Sequence, residues 1–429
     1  MAALSKSPYR GTRDFFPHDM RLRNYIFSKM SEVSEIFSYE PYDGPLLEEV
    51  ALYLAKSGEE LINEQIYSFM DRGERHVAIR PEMTPTVARM VAQIHREVPK
   101  PIRWYAIPNL MRYEKPQKGR LREFWQYNAD IFGAGIHGEV EIIQLCVTLL
   151  KSFGANHTHF AVHLNDRRIV DLVFKEFIQL NDEATHKLYK LVDRKNKMDA
   201  DKFSAEVKAI TQDDKKAEIF EEYANLTSVD SLKTFINKHS EADQDFFVFY
   251  DKLNKLGLGD YLVYDPSVVR GLDYYTGVVF EIFDLHPDNR RAIAGGGSYA
   301  NLLQIFNEQP LEGVGVGLGE VPLTEFLKSH NLLPDVSKAH IDYLVSYSDE
   351  EAEDLAMKLS YALRAKGKKT ELLFGTNKPK KVFNYSDKKK TGAIVFIGKD
   401  EVLSNSIKIK DLKTKEETVY NYDDFISSL

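Results

Sequence analysis

The 429-residue sequence predicts a mixed α/β body interrupted by a helical insertion and followed by a small α/β domain. Three observations predict it. Residues 1–167 and the stretch from Asp260 to about Leu327 alternate helical and strand signals. Residues 168–258 are instead charged, almost proline-free and helical in period. After the linker Asn331-Leu-Leu-Pro-Asp335, the pattern becomes strand, helix, strand, helix, strand, which is the signature of a mostly parallel sheet. A hydrophobic fraction of 43% and a charged fraction of 28% suit a soluble globular chain with room for two or three cores.

The elements follow from local pattern. Leu22 to Phe37 carries apolar residues at helical spacing, and Glu40-Pro-Tyr-Asp-Gly-Pro45 breaks it. Ser68 to Gly73 reads as a strand entering a turn, with Val77-Ala-Ile79 returning. Val87, Met90, Val91 and Ile94 predict a helix over Thr84 to Ile94. Arg103 to Ile107 and Glu123 to Phe132 read as strands around a polar loop, and Glu139 to Phe153 as an apolar helix. Asp260 to Asp265, Val268-Val269 and Gly277 to Phe283 are strand-like, so the segment between them reads as a hairpin turn. In the last domain, strands are expected at Asp342 to Ser348, Lys369 to Phe374 and Ala393 to Ile397, with a helix over Glu350 to Lys366.

Composition excludes several classes. A single cysteine, Cys146, forbids an intrachain disulfide and fits a reducing compartment. No apolar run approaches the ~18 residues of a membrane span, and the N-terminus lacks a signal core. The expectation is a cytoplasmic protein with no membrane partner. The net charge of −8 argues against indiscriminate nucleic-acid binding, yet residues 338–429 hold 17 Lys and Arg against 15 Asp and Glu. Their basic run, Arg364 to Lys390, is either a solvated face or a phosphate-contacting patch.

The candidate chemistry begins in the polar loop. Arg112-Tyr-Glu-Lys-Pro-Gln-Lys-Gly-Arg120-Leu-Arg122-Glu-Phe124 is either a solvated hairpin or an anion clamp, since arginine's planar fork grips phosphate from two sides. Gly313, Gly315, Gly317 and Gly319 are not a dinucleotide fingerprint; glycines at period two on a strand signal close approach of a ligand or another backbone. His157, His159 and His163 are read onto one strand face without a local carboxylate or cysteine to complete a metal site.

The chain resembles the class II aminoacyl-tRNA synthetases, and within them the histidyl-tRNA synthetase family. Gly11-Thr-Arg-Asp-Phe-Phe-Pro17 matches that family's opening, and Tyr42-Asp-Gly-Pro45 stands at motif 1. Arg80-Pro-Glu-Met-Thr-Pro85 is similar to the amino-acid-binding loop, Arg112 to Phe124 to motif 2, and Arg270-Gly-Leu-Asp-Tyr-Tyr275 to the histidine-specific stretch. The resemblance implies an α+β catalytic domain over 1–330, an antiparallel sheet flanked by helices, with the helical insertion at about 168–258. It also implies an anticodon-binding domain over 338–429, a homodimer, and ATP with Mg²⁺, L-histidine and tRNA(His) as partners.

Site residues carry over on the same basis. Glu82 and Thr84, with Gln126 nearby, are expected to hold the substrate ammonium, while Asp130, Tyr274 and Tyr275 read the imidazole. Arg270 is expected beside the histidine carboxylate and the α-phosphate, sharing the catalytic role with Arg112. Glu114 and Phe124 are the expected adenine contacts, and Arg120 the contact for the outer phosphates. Three positions depart from the family: Pro322 stands where the motif 3 arginine is expected, and Ser298 and Ala300 replace the arginine and aspartate of G-G-R-Y-D-G. Two readings account for this. One is an active histidine–tRNA ligase in which Arg112, Arg120, Arg122 and Mg²⁺ carry the triphosphate. The other is a histidine-sensing paralogue like the regulatory subunit of ATP phosphoribosyltransferase. If the insertion is purely structural, its deletion is expected to spare adenylate formation.

Overall fold

The strand Glu123–Phe132 lies inside a sheet ordered Glu40–Pro41, Ile102–Ala106, Glu123–Phe132, Gly313–Gly319, Ala292–Tyr299, Val278–Asp284, Phe160–Asp166, Leu262–Tyr264. The inner pairings are antiparallel and the two outermost are parallel. This computed structural model describes residues 4–55, 65–117, 119–195, 198–239, 245–269, 275–289, 291–336 and 341–429. The chain divides into two units, Met1–Leu333 and Pro334–Leu429.

The two faces of the sheet differ because their residues differ. One is apolar: Tyr127, Ile131, Val314 and Val316 pack under the helices Pro17–Ile36 and Gly135–Ser152, which bury Met30, Ile142, Cys146 and Leu149 against it. The other carries Gln126, Asn128 and Asp130 opposite Gly319, Gly317 and Gly315. One end of this polar face is roofed, by the helix Thr84–Ile94 and the turn Leu302–Phe306, whose Val87, Val91 and Leu303 meet Phe132 and Tyr299. A small sheet, ordered Leu47–Glu49, His76–Ile79, Tyr67–Met70, is separate from this one.

Leu262–Tyr264 and Val278–Asp284 are not hairpin partners: they pair with opposite edges of Phe160–Asp166. Val268 and Val269 are buried but lie outside any strand. The histidine trio also separates: His157 and His159 precede the strand, and His163 Nδ1 lies 2.8 Å from Asp265 Oδ2.

The insertion is the crossover that a parallel pair requires. It joins Phe160–Asp166 to Leu262–Tyr264 through the helices Asp182–Arg194, Ala200–Thr211, Asp214–Ala224, Val229–His239 and Asp245–Lys255. Its Phe174, Phe220, Tyr223 and Phe249 share one continuous core with Ile143 and Leu150. Deleting it would therefore strip cover from the sheet.

The second unit orders its strands Thr370–Leu372, Tyr343–Tyr347, Ala393–Ile397, Ser406–Asp411, Glu417–Asn421. The first three run parallel and the last two form an antiparallel hairpin, so the sheet is half rather than mostly parallel. The helix Pro379–Lys389 carries the centre of the basic run.

Candidate active site

The polar face is a strip floored by glycine. A Cβ at Gly315 would lie 2.2 Å from Asp130 Oδ1, and one at Gly317 1.9 Å from Gln126 Nε2. Only hydrogen fits, so the side chains of the neighbouring strand lie flat across this one. Tyr275 covers Gly297 in the same way, its ring 3.0 Å from where a Cβ would stand.

At the roofed end sits Asp130, 5% exposed, which accepts a hydrogen bond from the Tyr299 hydroxyl. Burial pushes its carboxyl up to about 7, although that hydrogen bond favours the charged form. The Tyr42 hydroxyl nearby is buried without a hydrogen-bond partner among the described residues, and burial together with the Asp130 charge raises its pKa. Sequence reasoning missed Tyr299. Its signal was the opposing glycine: a Cβ at Gly313 would meet the Tyr299 ring at 2.4 Å.

The loop before the helix Thr84–Ile94 joins this end. Arg80 is 5% exposed and donates to Asp43 Oδ1 at 2.6 Å, the Gly44 carbonyl at 2.7 Å and the Asn109 carbonyl at 3.0 Å. It thereby ties the Tyr42–Pro45 turn to the loop. Glu82, 4% exposed, and half-buried Thr84 follow it at the helix start. Gln126 Nε2 donates to Asn128 Oδ1 at 3.4 Å.

At the open end, Arg112 donates from Nε to the Pro81 carbonyl at 2.9 Å and lies 5.5 Å from the Phe124 ring centre. The guanidinium and the ring form a cation–aromatic pair. Glu114 is buried and ion-paired with Arg120, so the expected adenine and phosphate contacts hold each other in this state. Arg122 hydrogen-bonds the Glu114 carbonyl at 3.1 Å and the Tyr9 hydroxyl at 2.8 Å, packing 4.1 Å over Tyr113. In this structure it braces the loop. Arg13 grips buried Glu320 through two hydrogen bonds, 3.0 and 2.9 Å, and fastens the N-terminal segment to the helix Glu320–Ser329.

Arg270 and Tyr274 lie outside the described residues. The described ones bring Glu82, Thr84, Gln126, Asp130 and Tyr275 to the glycine strip, with Arg112, Glu114, Arg120 and Phe124 gathered around the loop after it. Among the described residues no three His, Cys, Asp or Glu side chains stand together as metal ligands. With Glu114 committed to Arg120, the donor set of the described residues does not fit a resident divalent ion.

A family model described as histidyl-tRNA synthetase matches residues 11–320, and one described as an anticodon binding domain matches 338–429. The histidine–tRNA ligase of Leptospira biflexa is 41% identical over 99% of this chain and 98% of its own. The chloroplastic/mitochondrial histidine–tRNA ligase of Arabidopsis thaliana is 34% identical over 96% and 85%. The fold matches the crystal structure of histidyl-tRNA synthetase from Nostoc sp. PCC 7120 with a TM-score of 0.82, covering 99% of this chain and 100% of that one at 21% identity. With a model covering most of the first unit and near-full-length relatives above 30% identity, the chain belongs to the histidyl-tRNA synthetase family.

Proposed function

We propose that the chain ligates L-histidine to tRNA(His) in two steps. The histidine carboxylate attacks the α-phosphorus of ATP, expelling pyrophosphate and leaving histidyl-adenylate. A 3′-terminal ribose hydroxyl of the tRNA then attacks the acyl carbon and AMP departs. No side chain need act as a base in the first step, because the nucleophile is already ionised; catalysis is alignment plus charge stabilisation. The observation that carries this reading is the strip itself: a buried acid at Asp130 and, at the other end of the same strand, the cation–aromatic pair of Arg112 and Phe124, on a face floored by glycine.

In this scheme Asp130 and Tyr275 face the imidazole, Glu82, Thr84 and Gln126 the ammonium, and Arg112 the α-phosphate with Arg270. Mg²⁺ enters with ATP as part of the substrate. The regulatory-subunit reading is not favoured, since the full-length relatives are ligases and the anticodon-binding family covers residues 338–429.

Three further points complete the proposal. At the start of and along the helix Pro379–Lys389, Lys378, Lys380, Lys381 and Lys388 line a surface hollow of about 460 Å³. With Phe374 78% exposed, cations beside an open ring support docking of a single-stranded loop. Leu46, Leu47, Phe69 and Met70 are exposed on and beside the small sheet and support a homodimer through motif 1. Among the described residues no helix is long and apolar enough to cross a membrane, which agrees with a cytoplasmic site of action.

The test is histidine-dependent exchange of labelled pyrophosphate into ATP, without tRNA. Exchange with histidine and no other amino acid is expected. Histidine binding without exchange would refute the ligase reading.

A further inference from the structure

Pro322 raises a definite question: what neutralises the outer phosphates of ATP? Proline at this point supplies neither a side-chain charge nor a backbone N–H to the first turn of the helix Glu320–Ser329. Arg13 does not substitute, because both its terminal nitrogens are spent on Glu320. Arg122 is spent on Tyr9 and the Glu114 carbonyl.

Pro322 lines a cavity of about 570 Å³ whose far wall is the motif 2 loop at Gln117 and Gly119. Among the described residues around it, Arg291 is the cation. Its stem runs against the loop, with Cδ 3.8 Å from where a Gly119 Cβ would stand. No ion pair or hydrogen bond holds its guanidinium among the described residues. The acids of the cavity are accounted for. Asp284 is bound by His330 at 2.7 Å and Asn289 at 2.6 Å, Glu325 by Lys328 at 3.1 Å, and Asp288 is 78% exposed and screened by water.

Register locates Arg291 relative to the substrates. Gly297 pairs with Gly315, which pairs with Asp130; Gly295 pairs with Gly317, which pairs with Asn128. The alternation breaks at a bulge, where Ile282 pairs with Ala294 and Phe283 with Ala292, so residue 291 stands just beyond the strand at its Phe124 end, in the wall of the cavity. The Asp130 row and the Phe124 row are then about 20 Å apart along the strands. Histidine at one end and the nucleotide at the other leave Arg291 flanking the nucleotide.

We propose that Arg291 binds the outer phosphates of ATP, providing from the start of the strand Ala292–Tyr299 the charge that the motif 3 helix lacks. This rests on the ATP-dependent reading above, and the experiment separates the two. Pyrophosphate exchange and calorimetric titration with ATP and Mg²⁺ would be run on the wild type, R291A, R291K and the double variant R291A/P322R. R291A is expected to raise the KM and Kd for ATP on the order of 10–100-fold, as loss of charged hydrogen bonds does, with the KM for histidine unchanged. R291K should fall between, and P322R should restore part of the loss. Equal ATP affinity in the wild type and R291A overturns the inference, as does a parallel loss for both substrates with a lowered Tm. Absence of exchange in the wild type would instead refute the ligase reading, and the titration would still decide Arg291.

Discussion

Asp130 is held in a state that favours its function over its stability. Its folded pKa of about 7 lies above the unfolded value of about 3.9, so the folded protein retains an extra proton between those values. Stability therefore falls as pH rises from about 4 to about 7, and the cost is fully present above that. Asp130→Asn removes the charge while keeping the shape. It is expected to gain up to roughly 4 kcal/mol over the wild type at pH 8 and nothing at pH 4, while losing histidine activation. Thermal melts at both pH values check this; a pH-independent difference would refute it. Gly317→Ala tests the floor of the strip. The added carbon would collide with the mobile end of Gln126, so the fold yields by moving that amide. The expected outcome is a KM for histidine raised on the order of tenfold with Tm nearly unchanged.

Single elements differ in how far local sequence announces them. Thr84–Ile94 and Glu123–Phe132 have the boundaries that the sequence predicts, because one carries a helical apolar stripe and the other alternates apolar and polar residues from Trp125 to Ile131. The placement of Leu262–Tyr264 and Val278–Asp284 was not legible, since their partner strand lies about a hundred residues upstream and nothing local encodes which edge each strand takes. Likewise the hairpin Ser406–Asp411 to Glu417–Asn421 buries just Ile407 and Ile409 beneath charged neighbours, too short an alternation to stand out. Of the site, the acids and arginines were legible by type and spacing. Tyr299 was not, because its role depends on a glycine two strands' worth of sequence away. The helix Pro379–Lys389 carries its own prediction. K380E/K381E is expected to leave pyrophosphate exchange untouched and raise the KM for tRNA. It should also flatten the log–log dependence of tRNA affinity on salt by about 0.7–0.9 per lost phosphate contact.

The whole molecule separates into parts that can be removed and parts that cannot. Each unit buries its own core: Met30, Ile142 and Phe326 belong to the first, Val345, Leu359 and Ile397 to the second. A chain ending at Leu333 is therefore expected to remain folded and support exchange while failing to charge tRNA efficiently. Deletion of 168–258 is expected to do the reverse of sparing activity. It removes Phe220, Tyr223 and Phe249 from the shared core and severs the parallel edge pairing, so soluble monodisperse protein should be lost. Size-exclusion chromatography of both truncations distinguishes these outcomes.

The lone cysteine gives the experimenter a natural gauge. Cys146 is 2% exposed beneath the sheet, and burial pushes its thiol up to about 12, so it is inert while the body is closed. A thiol-reactive dye can reach it only when the fold opens, which makes the labelling rate a clock for global opening under native conditions. Histidine and ATP should slow that clock together, by the factor that mass action assigns to ligands bound by the closed state alone. The surface, free of competing thiols, is equally open to cysteines introduced by design, one on each unit, whose fluorophores would report how the two move as tRNA arrives.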